Sequence, residues 1–449
     1  MNRTLKKYVF CSLAAAALMT GLSSSWAFAA EAPDTWIIDE DRYLLPYEGP
    51  EAPFQNGIRP GYGSGLAYKG TNADGSIDFY CITDRGPNGD IPTYIKNGKK
   101  LPGKFFPVPG FTPSIGILRV KGANAALIHS IPIRSQGGRK ISGRVVPRGM
   151  TGSTGEVALD FAMRDLGPDA EGLDTEGIAI GQDGTLWICD EYGPFLINVD
   201  TQGKILAKYA PGAGLPDILS QRVPNRGFEG VTVDEKGYVY GLVQSPLNVD
   251  GKTKKTAAYA RIVRLDPKTK AVTMFAYPLD RGYKHFGAAK LGDITSIGND
   301  EFLVIEQGKQ HGQMQNLVYK ISLRNATPVD EDGSLEKGIL PKDFKAATKE
   351  FVLDLRKEGW PVEKAEGLAL LPDRRTIAVV NDNDFGMDVS VNDPEHPSAA
   401  LDDYEYHADT GYALYKKDGK VSSVRFGLTE NAPEERLNYI YFFHLDQPL

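Results

Sequence analysis

Cysteine and histidine are scarce: the 449-residue chain has three Cys and six His. After the first 30 residues only Cys81 and Cys189 remain. In an oxidising compartment they could pair, but two thiols cannot staple a chain of this length. The same scarcity leaves too few clustered ligands for a dedicated zinc site. Basic charge is also short, with 51 Lys and Arg against 58 Asp and Glu and a formal net charge of −7. Without a basic stripe to neutralise phosphates, no nucleic-acid partner is expected. Beyond the N-terminus no stretch approaches the roughly 20 apolar residues of a membrane span. Several catalytic signatures are missing too: no G-x-S-x-G surrounds a serine, and there is no P-loop, no H-E-x-x-H pair and no dinucleotide-binding glycine pattern.

What is present begins with an export signal. Arg3, Lys6 and Lys7 precede an apolar run from Tyr8 to Leu22, and Ala27-Phe28-Ala29 supplies small residues for cleavage after Ala29. Residues 1–29 are therefore read as a signal peptide and 30–449 as one domain, periplasmic or secreted. The 49 Gly, 29 Pro and 21 Tyr favour many short strands joined by tight turns.

The chain also repeats itself. Residues 174–194 read DTEGIAIGQDGTLWICDEYGP: a strand opened by Glu176-Gly177, a turn at Asp183-Gly184, and a second strand ending at Asp190-Glu191. Residues 225–246 repeat the plan with Glu229-Gly230 and Gln244, and residues 364–384 with Glu366-Gly367 and Asn381. In all three the acid and the closing residue stand at the same separation. Looser copies occur at 291–308, with Asp293 and Glu306, and at 64–87, with Ser64 and Asp84. Two further strands follow the better-defined pairs, such as Phe195–Val199 with Ile205–Tyr209. Four short antiparallel strands per unit describe the blades of a β-propeller, an all-β fold. Five blades are recognisable, and a sixth is expected from the ends, where Trp36–Leu45 and Leu437–Leu445 would share a sheet. The segments Gly86–Gly110, Ser135–Gly155, Asn248–Ala258 and Asp384–Asp409 are expected as long loops that rim one face.

In a propeller the inner strands line the central channel, so equivalent positions meet at one depth. Glu176, Glu229, Asp293 and Glu366 are expected to form a ring near the channel mouth, with Asp84, Asp190, Glu191, Glu306, Asp382 and Asp384 ending the neighbouring strands. Unit charges 4 Å apart repel by about 4 kcal/mol at an effective dielectric of 20. Such a ring needs protons, basic partners or a cation. An all-oxygen set suits a hard divalent ion, Ca²⁺ above all. Glu176, Glu229, Asp293, Glu366, Asp84 and Glu306 are the candidate ligands. Nearby cations suited to an anionic substrate are Arg85, Arg226, Lys309 and His311.

The stretch Asp174–Pro194, the block Asn225–Gly230 (NRGFEG), the block Ala365–Leu368 (AEGL) and the block Asn381–Asp384 (NDND) resemble the family described as esterase-like activity of phytase. That resemblance implies a phosphoester-directed hydrolase and implicates Glu176, Asp190, Glu191, Glu229 and Glu366. The resulting expectation is a calcium-dependent phosphoric ester hydrolase acting as a monomer on a small anionic phosphoester. Asp190 or Glu191 would be the general base. Arg85, Lys309 or His311 would neutralise the phosphoryl oxygens. A lactonase or carboxylic esterase, and a non-catalytic binding propeller with a structural cation, are the alternatives.

Overall fold

The structure, a computed structural model, describes residues 32–449, so the expected signal peptide lies outside the described residues. Strands dominate, and the described helices are single short turns. None is long and apolar enough to cross a membrane.

Each expected strand pair forms, and each grows into a four-stranded antiparallel meander. Blade 1 comprises Gly65–Thr71, Ile77–Ile82, Ser114–Lys121 and Asn124–Pro132. Blade 2 runs through Thr175–Ile180, Leu186–Asp190, Phe195–Val199 and Ile205–Pro211, with Gly214–Leu215 added at its edge. Blade 3 holds Phe228–Val233, Val239–Val243, Tyr259–Leu265 and Val272–Pro278, and blade 4 holds Lys290–Gly298, Glu301–Gln310, Gln313–Ser322 and Thr348–Asp354. The turn expected at Asp183-Gly184 is there, and so is one at Asp74-Gly75; each glycine takes φ +81° as such hairpins require.

The ends do share a sheet, but they complete a blade already begun. Gly367–Leu370 and Thr376–Val380 pair onward to Tyr439–His444, whose other edge takes the N-terminal strand Asp34–Asp39. Chain termini thus close blade 5 rather than build a sixth. The N-terminal strand also touches blade 1, through Ile38↔Ala125. The first strands of the five blades contact one another in cyclic order, 1–2–3–4–5–1, which makes the arrangement a propeller-like ring. Apolar faces of adjacent blades bury each other, as where Tyr240 of blade 3 meets Phe302 of blade 4. Trp187 is likewise interior.

Two of the expected long loops are not loops. Residues 83–113 hold the strands Gly89–Asp90, Thr93–Lys96, Lys99–Leu101 and Gly103–Phe105, and residues 381–438 hold five more. The two insertions pair with each other, Thr93–Lys96 running parallel to Tyr404–His407. They cover a small apolar core of their own around Phe105, Tyr94, Tyr404 and Phe426. Asn97-Gly98, with both φ positive, is the hairpin signal that marks the first insertion as structured. Both insertions leave from the ends of second strands, in blades 1 and 5, and so cap one end of the ring.

Two local features are also settled inside the blades. Cys81 and Cys189 are buried and unpaired, because each thiol packs inside its own blade against a glycine, Gly116 and Gly177 respectively. The acidic stretch Asp330–Glu336 sends Glu336 inward. It meets Arg261 at 2.7 Å, and both side chains are fully buried.

Candidate functional site

The Glu-Gly pairs are local irregularities with a purpose. In blade 2 the ladder steps from Thr175↔Asp190 to Gly177↔Cys189, and in blade 3 from Phe228↔Val243 to Gly230↔Leu242. Glu176 and Glu229 are the unpaired bulge residues, and a bulge turns a side chain away from its regular face. The glycine that follows lets inner strands crowd together at the axis. A Cβ on Gly177 would lie 2.9 Å from the Val231 amide nitrogen, and one on Gly230 would lie 2.7 Å from that of Ile294.

Two tiers of side chains result. Glu176, Glu229 and Glu366 come from the first strands. Glu191 and Gln244 stand one residue, and Asp84 and Asp382 two residues, beyond the last paired residues of the second strands. With Asp174, Asp384, Arg85, Lys104, Lys290 and Lys364 they line a cavity of about 230 Å³ at the capped end of the ring. One ligand atom from each of Glu176, Glu229 and Glu366 falls within 4.8 Å of the others, and the same holds for Asp174, Glu176 and Glu191.

Burial and crowding hold these carboxyls in their protonated range in the absence of a cation. Glu191 is pushed up to about 8, first by burial and then by Asp174. Glu366 reaches about 7, mainly through burial. Glu176 and Glu229 are raised well above the usual glutamate value by burial and by neighbouring carboxyls. Asp84 is raised in the same way, by burial and then by Asp382 and Asp174. Asp382 alone is lowered: burial opposes its charge, but Lys364 lies 2.5 Å away and prevails. Lys364 also meets Asp384 at 2.7 Å. Arg85 stands 3.5 Å from Asp174 and 3.6 Å from Glu156.

The donor set fits a hard divalent cation. All the clustered ligand atoms are oxygens. Glu229 Oε2, Gln244 Oε1, Ser64 Oγ and Asp174 Oδ2 are buried with no hydrogen-bond partner. Buried acceptors left unmatched are costly, and a cation among them removes that cost.

The other expected residues lie elsewhere. Asp293 falls beside the bulge of blade 4, where Gly292 takes the position of the glutamates. Its carboxylate accepts the N–H groups of Ile294 and Leu368, at 2.8 and 2.9 Å, and it lies outside the cavity lining. Glu306 points into the blade because alternate residues face opposite sides of a strand. There it accepts from Tyr277 and pairs with Lys349 at 2.6 Å, while the next residue, Gln307, turns toward Glu366. The same one-residue displacement applies in blade 5. Asn381 is spent on the backbone of Leu437 and Tyr439, and Asp382 takes the place facing the axis. Asp190 accepts the amides of Asp174 and Gly193 and shapes the turn. Lys309 and His311 lie at the tip of a blade 4 hairpin, where His311 takes φ +49°, and Arg226 donates to the Gly287 carbonyl. None of these lines the cavity.

Lys290 and Lys364 escaped the sequence reading. The signal available was their position: each sits two or three residues ahead of Asp293 or Glu366, where Asp174 precedes Glu176.

Residues 61–385 match the family described as Phytase-like, esterase-like activity of phytase. An uncharacterized secreted protein of Arthroderma benhamiae is 30% identical over 238 residues, which span 43% of this chain and 46% of that protein. Among solved structures, virginiamycin B lyase from Staphylococcus aureus with quinupristin aligns at 13% identity over 72% of this chain and 92% of its own, with a TM-score of 0.31. A gluconolactonase from Xanthomonas campestris aligns at 10% identity over 90% of this chain and 99% of its own, with a TM-score of 0.27.

Proposed function

The chain belongs to the phytase-like family, esterase-like activity of phytase, and from that premise we propose that it is an exported, divalent-cation-dependent hydrolase of phosphoric esters. The observation that carries the reading is the buried oxygen cluster of Glu176, Glu229 and Glu366 with its unmatched acceptors. Calcium is the ion best suited to such a site. The N-terminal export signal in the sequence, and the relative described as secreted, support action outside the cytoplasm.

Glu176, Glu229 and Glu366 would hold the cation, with Asp174 and Glu191 alongside. When bound, it supplies Lewis-acid polarisation of a phosphoryl oxygen. Arg85, Lys290 and Lys364, the cavity's cations nearest the carboxyls, receive the remaining anionic oxygens of the substrate. The base passes to Asp84, because Asp190 is spent on backbone amides and Glu191 belongs to the cluster. Asp84 lies outside both triads and is anchored by the Gly86 N–H at 2.7 Å. Its raised proton affinity suits it to take a proton from the attacking water as the oxygen bonds to phosphorus. It then returns that proton to the departing alcohol oxygen.

The test is a substrate panel of a phosphomonoester, a phosphodiester, a carboxylic ester and a lactone, run before and after chelation. Turnover of a phosphoester that chelation abolishes and calcium restores is expected. Turnover confined to the carboxylic ester or lactone would move the chain to the alternative esterase reading. No turnover at all, with a lower melting temperature for Glu176→Gln, would make the cation structural.

A further inference from the structure

Resting on the cation-site reading above, we infer that the cavity takes two divalent cations, with Glu176 shared between them. The two ligand triads are distinct in origin. Glu176, Glu229 and Glu366 come from three blades, whereas Asp174, Glu176 and Glu191 come from the single strand pair of blade 2. Only Glu176 appears in both, and its carboxylate has one oxygen for each side.

Each triad has its own unmatched acceptor. Glu229 Oε2 belongs to the first, with Gln244 Oε1 beside it in the lining, and Asp174 Oδ2, which lacks a hydrogen bond and has only Arg85 Nε at 3.5 Å, belongs to the second, all on side chains more than nine-tenths buried. One cation placed among the three glutamates would leave Asp174 Oδ2 with only the 3.5 Å contact to Arg85 and no hydrogen bond.

Charge leads to the same number. Eight carboxyls and four cationic side chains line the cavity, an excess of four negative charges when all are ionised. Two of those cations are also engaged outside the lining, Arg85 with Glu156 and Lys104 with Asp90. One divalent ion would leave an excess of at least two negative charges in a cavity of about 230 Å³. Two ions balance it without protons. Blade 4 supplies no carboxyl to either triad and contributes Lys290 to the lining, a cation suited to an anionic substrate.

Calorimetric titration of chelator-stripped mature protein with calcium chloride tests this. Two equivalents are expected for the unaltered chain. Asp174→Asn should retain one, Glu229→Gln should retain the other, and Glu176→Gln should weaken both by at least tenfold. Circular dichroism of each variant reports whether it is folded, and terbium luminescence on the unaltered chain gives the count independently. A single equivalent in the unaltered chain would overturn the two-ion site and leave the one-ion reading standing. No binding at all would overturn both.

Discussion

At the scale of single residues, the site's behaviour follows from carboxyls crowded together and largely removed from bulk water. Glu191 and Glu366 start from the usual value of 4.5 and sit at about 8 and about 7 in the folded protein without metal. A raised folded pKa means that the folded state binds protons more tightly. The stability it contributes is complete below about 4.5 and is lost as pH rises through 7 and 8. The chelated protein should therefore melt at progressively lower temperature between pH 5 and pH 8. Calcium should reverse that loss, most strongly at the alkaline end, because it competes with protons for the same oxygens. Differential scanning calorimetry across pH checks this, and a melting temperature independent of both pH and calcium would contradict it. Glu229→Gln keeps the shape of the protonated side chain and cannot ionise to ligate a cation. It is expected to leave the chelated protein as stable as before or more so, while phosphoester turnover falls by roughly 100-fold or more, a loss of about 3 kcal/mol in transition-state binding.

At the scale of strands, the bulge and its glycine connect sequence to site. The Glu-Gly repeats, the paired strands and the turns were all legible, because a period-two pattern punctuated by Asp-Gly turns is a local signal. What escaped was register. Counting residues put Asn381 and Glu306 at the axis, but a shift of one residue reverses the face on which a side chain lies. Asp382, itself among the expected strand-ending acids, lines the cavity where Asn381 was aligned, and Gln307 turns toward Glu366 in place of Glu306. Chain counting cannot see that shift, because the bulges and turns that set it differ between blades. Lys364 and Lys290 were missed for a related reason: they precede the strands, and only the closed ring brings them to the carboxyls. Two variants probe this scale. Gly177→Ala places a methyl 2.9 Å from the Val231 nitrogen and should cost about 1–3 kcal/mol in chemical denaturation. Lys349→Met strands the fully buried Glu306 and should cost about 3–5 kcal/mol, yet leave calcium affinity within twofold, since that pair lies outside the cavity. A variant of Lys349 that lost calcium binding while folded would return Glu306 to the ligand set.

At the scale of the whole molecule, five sheets that each leave apolar faces bare are stable only once the ring closes. The closing strand, Asp34–Asp39, bridges the outer edge of blade 1 and the last strand of blade 5. The expectation that the termini meet in one sheet was correct in its pairing. Gly367–Leu370 and Thr376–Val380 supply that sheet's inner half, so the ends join a sheet that the sequence already shows as a repeat. The cap was legible only as length: its strands pair across more than 300 residues of sequence, a distance at which no periodicity operates. Everything the chain is proposed to do depends on carboxyls from three blades converging on one ion. The most direct measurement is a crystal structure of chelator-stripped protein soaked in manganese near neutral pH, read by anomalous scattering. Strong density in contact with Glu176, Glu229 and Glu366 is predicted. A cavity without an anomalous peak, its glutamates protonated and bonded to one another, would contradict the account.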